Sequence, residues 1–231
     1  MMITAVIFDL DGTLASFNID YKAVRAEVKD LLIRRGLPAS LFSVNESIFE
    51  MLKKTEIFMK NNERSKKAMD EIREEALAIA EKYELEAAKT TSLLPGVLET
   101  LRDLKNIKLK IGLCTINSEK ATNYILKHFR IGGFFDAITS RDSVKFVKPN
   151  VEHLEATLKV LRVKSEEAIV VGDGVSDIKC ARELKAIAVG FPNGVSPLKE
   201  LVSAGANYLI TAITDLPTLI ECINKTSEYS S

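Results

Sequence analysis

The stretch Ile3-Thr4-Ala5-Val6-Ile7-Phe8-Asp9-Leu10-Asp11-Gly12-Thr13 decides how the rest of this 231-residue chain is read. Ile3 to Leu10 is a near-continuous β-branched and aromatic run, the pattern of a strand buried on both faces in a parallel sheet. Two acids, Asp9 and Asp11, stand at its end at a spacing of two. In extended chain, residues i and i+2 project to the same side, so both carboxylates face one small volume. Left unpaired there, they would repel and be costly to desolvate. A turn needs only one acid, and Asp supplies only 11 of the 32 acidic residues. The pair is therefore expected to act as a nucleophile with an acid/base, or as part of a metal site.

After Thr13 the hydrophobic period becomes helical. Val24, Val28, Leu31 and Leu32 share one face, ended by Gly36 and Pro38. Asn45 is a candidate cap for a second helix through Ile48, Met51, Leu52 and Met59. A third, over about 63–87, turns Ala68, Met69, Ile72, Ala76, Ile79, Ala80 and Tyr83 inward, with its charged residues read as solvated surface. From Leu93 on, strands and helices alternate. Strands are expected at Leu109–Thr115, Phe135–Thr139, Ala168–Gly172, Ile187–Phe191 and Tyr208–Ile210. Helices are expected at Ser118–Phe129, Val151–Leu161, Asp177–Lys185, Leu198–Ala204 and Leu216–Asn224. That alternation implies an α/β fold: a Rossmann-like parallel sheet with helices on both faces, plus an inserted all-helical domain. The core is expected over 1–14 and 93–231, and the helical insertion over 15–92, joined by connections at Ala15–Asn18 and Thr90–Leu94. Thr226–Ser231 reads as a frayed end.

Reactive groups in such a sheet gather beyond the carboxyl ends of the strands. Gly172-Asp173-Gly174-Val175-Ser176-Asp177 is the second acid pair placed there. It approaches the dinucleotide fingerprint G-x-G-x-x-G, but Asp177 replaces the third Gly and Asp173 would aim negative charge at a pyrophosphate. No acid stands some 20 residues on, where Phe191-Pro192-Asn193 lie. Asp173 and Asp177 are instead expected to join Asp9 around a hard cation. An all-oxygen set without His or Cys selects Mg2+ over zinc. Thr115 ends the next apolar strand, where its hydroxyl and the following N–H groups suit an oxyanion. Lys148, in Lys148-Pro149, supplies a cation that a phosphate would need. His128 and His153 fall on expected helices and read as ordinary helix-face positions.

Composition narrows the rest. Thirty-two basic residues balance 32 acidic ones, which disfavours a nucleic-acid binder or a polybasic membrane-surface protein. No apolar run approaches the ~18 residues of a membrane span. Met1–Phe8 lacks the basic region of a secretory leader. Cys114, Cys180 and Cys222 read as buried thiols in a reducing compartment, and the expected location is cytoplasmic. The absence of Gln beside 22 Lys hints at heat adaptation.

Together these motifs resemble the haloacid dehalogenase superfamily, and within it the phosphatases that carry a helical cap. Asp9-Leu10-Asp11-Gly12-Thr13 matches the family's D-x-D-G-T signature, and Gly172-Asp173 with Asp177 its later G-D-x-x-x-D element. Thr115 fits the strand-end Ser/Thr, Lys148 the Lys before Pro, and Leu94-Pro95-Gly96-Val97 the return from a cap inserted between the first two motifs. The resemblance implies that Asp9 attacks phosphorus and forms an aspartyl-phosphate, while Asp11 protonates the leaving oxygen and then activates water. It implies Mg2+ held by Asp9, the Asp11 carbonyl and Asp173, with Asp177 acting directly or through water, and phosphoryl oxygens bound by Thr115, the Ile116 N–H and Lys148. Two departures stand out: Ile116 separates Thr115 from Asn117, and Asn150-Val151 follow Lys148-Pro149, with Lys145 as a rival cation. Asp11 favours ester hydrolysis over dehalogenation. A small-molecule phosphate ester is the implied partner, phosphoglycolate-like by layout, for a monomer or homodimer. Lys22 and Arg25 at the cap base are candidates for an anionic leaving group. The alternatives are a sugar-phosphate mutase of the β-phosphoglucomutase type and a phosphoryl-responsive signalling protein.

Overall fold

The computed structural model describes residues 2–16 and 18–228, without the side chains of 227 and 228. Two compact units divide it: Met1–Asn18 with Thr90–Ser231, and Ile19–Lys89. Phe17, inside the expected connection Ala15–Asn18, and 229–231 of the expected frayed end lie outside the described residues.

The larger unit is built on six parallel strands in the order β3-β2-β1-β4-β5-β6. They are β1 (Ala5–Phe8), β2 (Lys110–Cys114), β3 (Ala137–Thr139), β4 (Ala168–Gly172), β5 (Ile187–Gly190) and β6 (Tyr208–Leu209). Each connection after β1 passes through a helix or helical turn, as parallel pairing requires. Ala5 and Ile7 pack with Val170, Leu154 and Ile178 in one apolar cluster, and the pleat turns Val6 and Phe8 to the opposite face. All four β1 side chains are buried, which is why that stretch carries no polar alternation. Helices α6 (Val151–Leu161), α7 (Val175–Glu183) and α8 (Leu198–Ser203) lie against the strands, α5 (Glu119–His128) lies between β2 and β3 in the chain, and α4 (Val97–Asn106) packs with α9 (Leu216–Glu228). The chain runs outward from β1 through β2 to β3, then returns to β4 beside β1. The strand order thus reverses between β1 and β4, the place where open sheets form a crevice at their carboxyl ends.

The two expected connections pair with each other. Ala15 bridges Leu93 in antiparallel fashion, the Ser16 N–H donates to the Ser92 carbonyl at 2.8 Å, and Asn18 Nδ2 donates to the Thr90 carbonyl. Gly96, at φ +81°, opens α4, and an added Cβ there would fall 2.5 Å from Thr214 Cγ2.

The smaller unit holds α1 (Tyr21–Arg34), α2 (Ile48–Asn61) and α3 (Lys66–Ala88), packed around Val28, Leu32, Met51, Leu52 and Ala76. Asp20 and Ser65 cap α1 and α3. The cap of α2 is Ser47, not Asn45: Ser47 forms a reciprocal box with Glu50, three positions on, and Asn45 has no acid at that spacing. Glu84 departs from the solvated reading of the α3 charges, being buried on the inner face with Ala80 and Ala88. Lys22 is exposed, and Arg25 is half-buried over the Tyr21 ring. Among the cysteines, Cys114 and Cys180 are buried but Cys222 is exposed, on the outer side of an amphipathic closing helix. Among the described residues, no helix is long and apolar enough to cross a membrane.

Candidate active site

Sheet register determines which chemistry-bearing residues meet. Phe8 is level with Val171 on β4 and Leu113 on β2, so Asp9, Thr115 and Asp173 emerge together at the carboxyl edge. Asp9 stays tied to the sheet through its N–H, which donates to the Val171 carbonyl at 3.0 Å. Asp11 sits in a tight turn: the N–H groups of Leu14 and Ala15 both donate to the Leu10 carbonyl, and Gly12 adopts φ +78°. Gly12 is needed twice over. Its φ lies in the left-handed region, and a Cβ would fall 2.5 Å from Asp173 Oδ2.

One carboxylate oxygen from each of Asp9, Asp173 and Asp177 lies within 4.8 Å of the others. Lys148 Nζ stands among them, 2.7 Å from Asp9 Oδ1, 2.5 Å from Asp177 Oδ1 and 2.7 Å from the Cys114 carbonyl. Those three contacts use all three donors of an ammonium. Lys145, the rival cation, sits instead over the Phe146 ring. Asp177 occupies the first turn of α7, where its Oδ2 accepts the Gly174 N–H at 3.2 Å, so it closes the helix start as well as binding Lys148. Asp173 is wrapped by the loop after β5. The Val195 N–H donates to its Oδ2 at 2.6 Å, the Ser196 N–H to its carbonyl, and Thr13 Oγ1 to its Oδ1.

The electrostatics follow from burial. Burial would push Lys148 down, but Asp177 and Asp9 outweigh it and hold the ammonium well above the ordinary lysine value. Burial first, then repulsion from Asp9 and Asp177, pushes Asp173 up to about 8. Burial also pushes Asp177 up to about 6, against the attraction of Lys148. Three acids confront one ammonium, and the deficit of positive charge in an all-oxygen set suits a hard divalent cation. Three glycines leave the room this packing needs. An added Cβ at Gly194 would fall 2.1 Å from Asp173 Oδ2, and one at Gly172 would fall 2.4 Å from Asp177 Cγ.

Thr115 is buried beyond β2, and its Oγ1 accepts the Asn117 N–H at 3.2 Å, which leaves the hydroxyl proton available to an anion. Ile116 is half-buried beside it, and its carbonyl accepts from Arg141 Nη1 at 3.3 Å.

Three contributions escaped the sequence reading. Asn117 is buried and donates from Nδ2 to Asp11 Oδ2 at 2.6 Å, a contact that the intervening Ile116 obscured. His153 is not an ordinary helix-face residue. It is fully buried, because the first turn of α6 packs onto the end of β3, and its Nδ1 accepts the Lys148 N–H. Burial first, and then Lys148, lowers its pKa to about 4. The loop carrying Gly194 and Val195 follows Phe191-Pro192-Asn193, where the sequence alone shows only the lack of a ribose-binding acid. A Gly after a strand at the reactive edge was the available signal.

A family model for haloacid dehalogenase-like hydrolases matches residues 3–185, and the chain belongs to that family. It is similar to the pyrophosphatase PpaX of Bacillus cereus, 30% identical over 191 residues that span 77% of this chain and 78% of that protein. A phosphoglycolate phosphatase of Agrobacterium fabrum is 26% identical over 202 residues, covering 84% of each chain. Among solved structures, a hydrolase from Pseudomonas syringae superposes with a TM-score of 0.69 at 26% identity, over 95% of this chain and 99% of that one.

Proposed function

We propose that this chain is a Mg2+-dependent phosphatase that hydrolyses a small phosphate monoester through an aspartyl-phosphate on Asp9. The observation that carries the reading is the strand-end pair itself. Asp9 is held at the carboxyl edge by Lys148, while Asp11, two residues on, accepts a hydrogen bond from Asn117. Asp9 thus remains a poised nucleophile, and Asp11 serves as the acid that protonates the leaving oxygen and the base that activates water.

Asp9, Asp173 and Asp177, with the Asp11 carbonyl, are the groups that would hold Mg2+. When bound, the ion supplies charge neutralisation at the phosphoryl oxygens. Thr115, the Ile116 N–H and Lys148 would bind those oxygens, and phosphoryl transfer asks for little beyond such positioning and charge. The helical insertion is proposed as the cap that selects the leaving group. The names of the relatives place pyrophosphate and phosphoglycolate first among substrates to try.

The test is turnover of a panel of phosphate esters and pyrophosphate by the full chain, in Mg2+ and in EDTA, beside Asp9→Asn. Metal-dependent release of phosphate that Asp9→Asn abolishes is the expected result. Turnover that survives EDTA or Asp9→Asn sinks the mechanism, and interconversion of sugar phosphates without release of phosphate would point to a mutase.

A further inference from the structure

We propose that His153 is a positioning residue for Lys148, acting through the Lys148 backbone N–H. The inference rests on the phosphatase reading, in which Lys148 neutralises Asp9 and binds the phosphoryl oxygens.

Lys148 is fixed at the tip of its side chain by Asp9, Asp177 and the Cys114 carbonyl. Its backbone has no such support from secondary structure. It lies between β3 and α6, outside any strand or helix, yet it is buried, so its N–H needs an acceptor within the protein. His153 Nδ1 provides one at 3.4 Å. The other ring nitrogen, Nε2, lies 3.3 Å from the carbonyl of Thr139, the last residue of β3. One protonation state satisfies both contacts: a neutral imidazole with Nδ1 bare and the proton on Nε2. The ring thereby joins the end of the edge strand β3 to the residue that carries the site's only ammonium among the described contacts to Asp9. Thr157 steadies the joint, its Oγ1 lying 3.0 Å from Thr139 Oγ1 and 3.2 Å from the His153 carbonyl. His153 touches no reacting atom. Its effect is transmitted by where it sets the root of a long, flexible side chain, and a displacement of about 1 Å at a reacting centre can cost on the order of a hundredfold in rate.

The experiment compares His153→Leu, which fills the space without an acceptor, with His153→Asn, whose amide oxygen can occupy the Nδ1 position. Steady-state kinetics on p-nitrophenyl phosphate with Mg2+, inhibition by inorganic phosphate, and thermal melting are measured on the full chain. His153→Leu is expected to lose roughly tenfold in kcat/KM and to weaken phosphate inhibition, while His153→Asn stays within about threefold of wild type at a similar loss of melting temperature. Equal impairment of the two variants at equal melting temperature overturns the proposal, as does full activity in both. The chain has two histidines, so long-range proton–nitrogen spectra of the wild type report the tautomer directly. A proton on His153 Nδ1 at neutral pH also overturns the proposal, even if His153→Leu fails to fold. A wild type that turns over no phosphate ester refutes the phosphatase reading instead, and the tautomer then decides the contact by itself.

Discussion

Asn117 Nδ2 donates to Asp11 Oδ2 at 2.6 Å, joining the segments that follow β2 and β1 in a buried contact. An amide N–H donates more strongly to the unprotonated oxygen of a carboxyl group than to its hydroxyl, so the contact favours a proton on Asp11 at Oδ1. In the proposed mechanism, Asn117 would thus favour one oxygen of Asp11 for delivery of the proton. Asn117→Ala should lower kcat about tenfold with little change in KM, since the ground-state contacts to the phosphoryl group are not its own. Steady-state kinetics check this, and an unchanged kcat would release Asp11 from any dependence on Asn117.

Asp9→Asn separates chemistry from stability. A carboxamide is a poor nucleophile, so turnover should fall by at least about 10³-fold. The same change removes a negative charge that raises both Asp173 and Asp177. In EDTA the variant should therefore melt no lower than wild type, with its amide oxygen still accepting from Lys148. A marked loss of melting temperature would mean that Asp9 contributes more to folding through Lys148 than it costs by repulsion.

Mg2+ should stabilise the protein more at pH 8.5 than at pH 5.5. Asp173 and Asp177 have folded values raised to about 8 and about 6, above the ordinary 3.8. The metal-free fold therefore holds more protons than the unfolded chain between these values, and its stability falls as pH rises through them. Metal binding requires deprotonated carboxylates and so strengthens over the same window. Melting curves with Mg2+ and with EDTA at both pH values measure the difference, and equal increments would argue against the acid cluster as the metal site.

Gly194→Ala should weaken metal-dependent activity by about tenfold or more, because the new Cβ would fall 2.1 Å from Asp173 Oδ2 and must displace it. Gly133→Ala is the control, since nothing lies within 4 Å of its Cβ position. Titration of Mg2+ against activity distinguishes a loss of metal affinity from a general loss of fold. Equal behaviour of the two variants would show that Asp173 tolerates the shift.

The core fold was legible because its signals are local and strong. Buried parallel strands read as unbroken apolar runs, and Ala168–Gly172 and Val151–Leu161 fall where the pattern puts them. Strand ends were less sharp: the apolar run continues to Leu10, but ladder pairing stops at Phe8, where the chain leaves the sheet for the turn at Gly12. The acid pairs were legible because Asp directly after an apolar run has few structural uses. Asn117, His153 and Gly194 were not. Asn117 and Gly194 act on residues remote in sequence, Asn117 and Asp11 being 106 positions apart, and one-dimensional spacing carries no trace of such a contact. His153 was masked by its helix, since a buried polar contact on a helix face looks the same in sequence as a solvated one.

His153 also makes acid stability a test of its own burial. Its folded pKa is lowered to about 4 from the ordinary 6.5, by burial first and by the nearby Lys148 second, against the Thr139 and Ser140 carbonyls that favour the charged ring. The unfolded chain therefore binds a proton near pH 6.5 that the folded chain refuses until about pH 4, so stability rises with pH across that window and is lost as pH falls through it. A gap of some 2.5 units corresponds to about 3 kcal/mol for this one group. Replacing it by Asn, which does not titrate, should flatten the fall in unfolding free energy between pH 6.5 and 4 by up to that amount. Denaturant melts at half-unit intervals, wild type against His153→Asn, measure the slope. Parallel curves for the two proteins would mean that the ring is protonated in the folded state well above pH 4, and the Lys148 N–H would then have lost its acceptor.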